Sequence, residues 1–260
     1  MKAITKPIQK CQSARKRRGF TLTEVLVVIL IIAALAAIAF PMARMLRTKA
    51  TVAKSASNLS QMKSAIFLYT SDNAGSFPYA AAQKKENGKW SFLGSWDAYL
   101  FNYIGFETDS NVPSIGKRSK ESIGSNFDLF KHDNDKSILS DAEAFRRSYA
   151  MPTASGAITV AVWSEADARV PHKIGTVGDP ARTLLLVERP GYPDNKVART
   201  GLAGVNHPAD QIAKQPDLNG DGKFQYLFAD GHIESLRPEQ TIGTGSMTQP
   251  KGMWTVATDD

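Results

Sequence analysis

From Val25 to Ala43 every residue is apolar or proline. At ~1.5 Å of helical rise per residue this run spans roughly 28 Å, close to the hydrocarbon thickness of a bilayer. The pattern predicts a membrane-spanning helix. Beyond Pro41 the chain has no acid before Asp72 and no glycine before Gly75, so the helix is predicted to continue to about Ser71, with Pro41 bending or locally opening it. Over residues 44–71 the pattern turns amphipathic. Val52, Leu59 and Ile66 recur at heptad spacing, Met62 and Tyr69 interleave, and Ala56 lies beside them, which makes one apolar stripe suited to lying on a sheet. Leu46, Ala50, Ala53, Ser57 and Ser64 form a second face, mostly of small residues, that could admit neighbouring helices.

Ser71-Asp72-Asn73-Ala74-Gly75 is a stop signal. After it come Trp90, Phe92, Leu93, Trp96, Tyr99, Leu100, Phe101, Tyr103 and Phe106, an aromatic cluster at partly helical spacing between Ser95 and Ile104, read as core. A glycan platform could use the same residues. Residues 107–147 are polar and mixed and read as surface loops. Strand patterns follow at Ala157–Trp163, Thr183–Glu188, Phe224–Ala229, His232–Leu236 and Met253–Ala257. Asp230-Gly231 lies between two of them and predicts a two-residue type I′ hairpin turn. The tail from Gly243 to Asp260 reads as partly ordered. The expected fold is α+β: a long N-terminal α-helix, its first half in the membrane, packed on a C-terminal antiparallel sheet.

Charge changes the picture at one end only. The formal charge of +7 comes entirely from Lys2, Lys6, Lys10, Arg15, Lys16, Arg17 and Arg18, and the remaining chain balances 25 Lys+Arg against 25 Asp+Glu. Neither a nucleic-acid nor an anionic-lipid partner therefore keeps the support that the net charge lent it. The one cysteine, Cys11, lies in the same leader. Leader cations outnumber Arg44, Arg47, Lys49 and Lys54 on the far flank, so the positive-inside rule places the leader in the cytoplasm and exports the body. Glu24 is an acid at the edge of the spanning segment, where ionisable groups are usually functional.

Arg17-Arg18-Gly19-Phe20-Thr21-Leu22-Thr23-Glu24 resembles the class III signal of type IV prepilins and type II secretion pseudopilins. In that signal a basic leader ends in Gly, Phe follows, and Glu stands fifth in the mature chain. Pro41, twenty-second after Gly19, also fits. The resemblance implies cleavage between Gly19 and Phe20 by prepilin peptidase and N-methylation of Phe20. It further implies assembly with like pilin or pseudopilin subunits on an inner-membrane platform, with Glu24 meeting the Phe20 ammonium of a neighbour. A carboxylate in lipid is not easily satisfied by its own backbone, which favours that pairing. The implied regions are leader 1–19, spanning and assembly helix 20–43, amphipathic helix 44–71 and exported globular domain 72–260. The body from Phe127 onward resembles the large-C-terminal-domain prepilin-like proteins typical of planctomycetes and verrucomicrobia. That group has a Cys-Pro-x-Asp motif near His132-Asp133-Asn134-Asp135, without its cysteine here. The run Phe224–Glu234 resembles the group's closing hairpin.

Asp217-Leu218-Asn219-Gly220-Asp221-Gly222-Lys223 has side-chain oxygens at the first, third and fifth places and glycine at the sixth, like the opening of a calcium loop. The candidate ligands are Asp217, Asn219, Asp221 and the Lys223 carbonyl. Phe228 stands at the twelfth place, where a bidentate Glu would close such a loop. Major pseudopilins carry a calcium loop toward their C-terminus, so the resemblance adds to this reading. No cofactor is otherwise required. His132, His172, His207 and His232 lack zinc-site spacing, and no G-x-S-x-G, P-loop or G-x-G-x-x-G is present. Glu165, Asp167 and Glu188 could pair as carboxylates, although acids at such places are more commonly solvated. The expected protein is not an enzyme. The competing class is a secreted or anchored calcium- or glycan-binding domain, released by ordinary signal peptidase at Ala37-Ile38-Ala39.

Overall fold

The computed structural model describes residues 20–105, 128–137, 146–154, 156–162, 169–191, 203–213 and 215–258. The leader, Glu165 and Asp167 lie outside the described residues, as do most of 107–147. Two compact units divide the chain, one ending at Leu46 and the other running Arg47–Asp260. Helix α1, Leu22–Asp72, carries on through Pro41 and belongs to both.

In the first unit the large apolar side chains of α1, from Leu22 to Leu46, are all solvent-exposed. In the second unit the same helix has an inner face. Leu59, Met62 and Ile66 are buried, as the heptad stripe predicts, while Val52, Ala56 and Tyr69 of that stripe are half-buried; Ala65, Ser55, Asn58 and Thr70 are buried beside it. Leu46, Ala50, Ala53, Ser57 and Ser64, the small-residue face, are exposed. The helix ends where the stop signal lies, with Gly75 N–H returning to the Thr70 carbonyl at 2.9 Å.

The body is built on a five-stranded sheet of β3 (Tyr149–Pro152), β5 (Leu184–Glu188), β6 (Gly204–Val205), β7 (Phe224–Phe228) and β8 (Ile233–Leu236), ordered β6-β3-β5-β7-β8. Its β3, β5, β7 and β8 pair antiparallel, while β6 joins β3 in parallel. A three-stranded sheet, β2-β1-β4, adds β1 (Ala81–Glu86), β2 (Lys89–Ser95) and β4 (Ala161–Val162). Trp96–Tyr99 forms the short helix α2, and Pro208–Ile212 forms α3.

Both faces of the larger sheet are covered. Tyr149, Met151, Leu186 and Leu227 share a cluster with Leu59, Met62 and Ile66 of α1, whereas Ala150, Val187, Tyr226 and Phe228 pack with Leu218, Leu236 and Trp254. Alternation of side chains across the pleat produces this division. A bulge between Leu184 and Leu186 re-phases β5. Glu188 therefore comes up beneath α1.

Several expectations need correction. Met253–Ala257 is not a strand; Gly252–Trp254 is a 3-10 turn that buries the indole and directs its Nε1–H to Thr241 Oγ1 at 2.8 Å. The described parts of 107–147 are surface only in part, at Asp128, Asp133, Asn134 and Lys136. Phe130, His132, Asp135, Ser137 and Arg147 are buried, and Arg147 pairs with buried Asp97 at 2.7 Å. Asp230-Gly231 is not a type I′ turn, because only Gly231 has positive φ, at 94°. The loop is wider: Gly231 N–H bonds the Phe228 carbonyl and Phe228 N–H bonds the His232 carbonyl. The type I′ signature is instead Asn87-Gly88 between β1 and β2, with φ of 50° and 78°.

A Cβ on Gly231 would lie 2.9 Å from both Lys63 and Phe67 of α1. Gly231→Ala is thus expected to destabilise the body by about 1–3 kcal/mol, from left-handed strain. Urea melts of the two proteins check this; equal midpoints would show that the hairpin loop does not need its glycine.

Candidate functional site

Two places concentrate polar chemistry: the start of α1 and the interior beneath its second half. At the start, Phe20 is 87 % exposed. Thr21 precedes the first helical residue, and Glu24 lies three positions on. The Thr21 amide and hydroxyl both donate to Glu24 Oε2, at 2.7 and 2.8 Å, and the Glu24 amide returns to Thr21 Oγ1 at 3.3 Å. This is a capping box, which satisfies otherwise orphaned amides of the first turn. The Thr-x-x-Glu spacing was visible in the sequence. It corrects the expectation that the Glu24 carboxylate is not easily satisfied by its own backbone. Pro41 lies inside the same exposed apolar stretch, and an 18-residue part of it is apolar and long enough to cross a membrane, with none of it buried.

The chain carries a prokaryotic N-terminal methylation motif. The family model of that description matches residues 14–40, which include Gly19, Phe20 and Glu24. No curated protein and no solved structure matches the chain. The motif is that of a type IV prepilin- or pseudopilin-type signal, which marks a processed, membrane-anchored structural subunit that prepilin peptidase handles and that assembles with other pilin subunits. Gly19 itself lies outside the described residues.

The interior site is built around Glu188, which is completely buried. Ser55 of α1 hydrogen-bonds Glu188 Oε1 and also lies 3.0 Å from the Tyr149 hydroxyl. The Asn219 side-chain amide and the Gln225 backbone amide donate to Oε2 at 2.8 and 2.7 Å. His132 Nε2 lies 3.6 Å from Oε1 and 3.0 Å from Asn219 Oδ1. Its Nδ1 accepts from the Asn134 amide at 3.1 Å, which puts the ring proton on Nε2, directed to Asn219. No Lys or Arg pairs with Glu188 among the described residues. Burial pushes the Glu188 carboxyl up; the neighbouring imidazole and the donors from Ser55, Gln225 and Asn219 oppose that rise without cancelling it. The expectation of a solvated acid at this strand end is overturned, since the β5 register turns Glu188 inward.

Asn219 comes from the calcium-like loop, and its side chain is spent on this network: Nδ2 donates to Glu188 and also to the Lys223 carbonyl at 3.0 Å. Asp217 and Asp221 are exposed. Asp217 Oδ1 accepts from the Gly222 amide and Asp221 Oδ1 from the Lys223 amide, each at 2.9 Å. The four candidate ligands therefore divide: two carboxylates on the surface, one amide in the core and one carbonyl bonded to that amide. Among the described residues no three of His, Cys, Asp and Glu gather in metal-binding geometry.

A folded-state pKa above the ordinary value of 4.5 means that the native protein holds the proton more tightly than the unfolded chain. The stability linked to Glu188 is present below that value and is lost as pH rises through the raised native pKa. Thermal melts of wild type and Glu188→Gln across this range are expected to show wild type losing ground to the variant as pH climbs; a pH-independent difference would contradict it.

Proposed function

We propose that this protein is a structural subunit, not an enzyme, of a filament of the type IV pilus or type II secretion pseudopilus class. Prepilin peptidase cuts after Gly19, Phe20 is N-methylated, and residues 20–43 hold the subunit in the inner membrane as a single pass. The amphipathic part, 44–71, carries the exported domain, 72–260. An assembly platform then delivers the subunit into a periplasmic or extracellular filament. The observation that carries this reading is a methylation motif that runs into an apolar helical stretch whose large side chains are all exposed. So large an apolar surface needs lipid or neighbouring helices around it.

Glu24 keeps a place in assembly despite its capping bonds. Both Thr21 donors use Oε2, and among the described residues Oε1 has no donor. That oxygen is left for the Phe20 ammonium of a neighbouring subunit, and N-methylation leaves the amine able to carry its charge. The hairpin run Phe224–Glu234 supports placing the body with the planctomycete and verrucomicrobial prepilin-like group.

Intact mass and N-terminal sequencing of protein from its native host are expected to give methylated Phe20 as the first residue. A start near Phe40 would instead identify release by ordinary signal peptidase and sink the filament reading. Glu24→Ala is expected to leave processing intact and to reduce filament incorporation to background in a pull-down; undiminished incorporation rejects the pairing with Phe20.

We also propose that Asp217 and Asp221 take calcium through the carboxylate oxygens not used by the loop's own amides, at the extracellular-grade affinity of ~10⁻⁴ to 10⁻³ M. Titration calorimetry is expected to show calcium binding that Asp217→Ala abolishes. The absence of any heat with the unaltered chain rejects the site.

A further inference from the structure

Three cations, Arg44, Arg47 and Lys49, follow the apolar run within six residues. All three side chains are exposed, and among the described residues no acid pairs with them. Lys54, the next basic residue of α1, is already committed to Asp133 at 2.7 Å. After Glu24 the helix has no acid before Asp72. At ~1.5 Å of rise and about 100° per residue, the three charges occupy roughly 8 Å of axis and point around the helix, a depth comparable with the headgroup layer. The loop around Gly220 reaches this level, since a Cβ there would lie 3.7 Å from Thr48 Oγ1. Its exposed Asp217 and Asp221 bond the loop's own amides and leave the three cations unpaired.

Processing reverses the charge balance across the apolar run. With the leader attached, seven cations stand on one flank and these three on the other. Without it, the first flank keeps only the new Phe20 ammonium and the Glu24 carboxylate. We infer that Arg44, Arg47 and Lys49 form a collar that binds anionic phospholipid headgroups on the exported side of the bilayer, and that leader removal makes this collar the main electrostatic anchor of the helix. The inference rests on the membrane orientation and cleavage proposed above. Guanidinium and ammonium groups on long flexible stems reach phosphate from a helix end, and their attraction to a surface depends on its net negative charge and on salt. A zwitterionic surface offers far less.

The mature full-length chain in nanodiscs, in buffer free of divalent cations, tests this with spin-labelled phosphatidylglycerol and phosphatidylcholine in turn. A several-fold preference for phosphatidylglycerol is expected, shrinking at high salt and falling to near one in Arg44→Gln/Arg47→Gln/Lys49→Gln, with the thermal melt of the body unchanged. Equal association with both lipids, or a preference that survives the triple substitution, overturns the collar. Intact mass of the same sample shows whether it begins at Phe20, so failed processing is recognised separately from failed lipid selection.

Discussion

Glu188 sits in the core as a carboxylate with hydrogen-bond donors and no Lys or Arg partner among the described residues, and that constraint organises the body. A buried acid is costly unless its oxygens are satisfied. Here the donors come from different parts of the chain: Ser55 from α1, Asn219 from the loop before β7, and the Gln225 amide from β7 itself. His132 approaches from the segment before β3. Satisfying one side chain thus fixes the rotation of α1 about its axis, the depth of the 217–223 loop and the position of residues 130–135 together. The apolar stripe alone would allow the helix to slide or roll; the polar positions Ser55 and Asn58 specify one seating.

The two halves of α1 meet different demands with the same secondary structure. From Val25 to Ala43 the helix is apolar around its whole circumference, and from Arg47 it has a buried stripe and a polar exterior. Helices that are hydrophobic all round belong in lipid or in the interior of an assembly. The capping box at Thr21 and Glu24 lets the helix begin at the motif without leaving its first amides bare, while keeping one carboxylate oxygen outside the cap. Anchoring and folding are therefore separable along one continuous element.

Legibility in the sequence varied with the range of the interactions involved. The extent of α1, its stop at Asp72 and the stripe of Leu59, Met62 and Ile66 follow from local periodicity, and the structure has them there. Strands β5, β7 and β8 lie where the strand patterns predict them. The hairpin of β1 and β2 was missed even though Asn87-Gly88 is a strong local signal, because Lys84, Lys85 and Glu86 beside it do not read as a strand. Strand β3 and the partly buried stretch 128–137 were hidden for another reason. The charged residues in 128–137 and just before β3 look solvated until Asp97 meets Arg147 and Asp135 receives the Ser148 hydroxyl at 2.6 Å.

What the sequence by itself determined is the N-terminal machinery: a methylation motif, an uncharged run of membrane length and the amphipathic continuation, all written in contiguous residues. Only the tertiary structure decided that Glu188 is interior, that Asn219 turns away from its loop to reach it, and that Trp254 closes the second core instead of extending the sheet. Helix propensity and hydrophobic period are properties of neighbouring residues, whereas the satisfaction of a buried polar atom depends on partners tens of positions away. No local pattern encodes the latter; it exists only once the chain has closed around it.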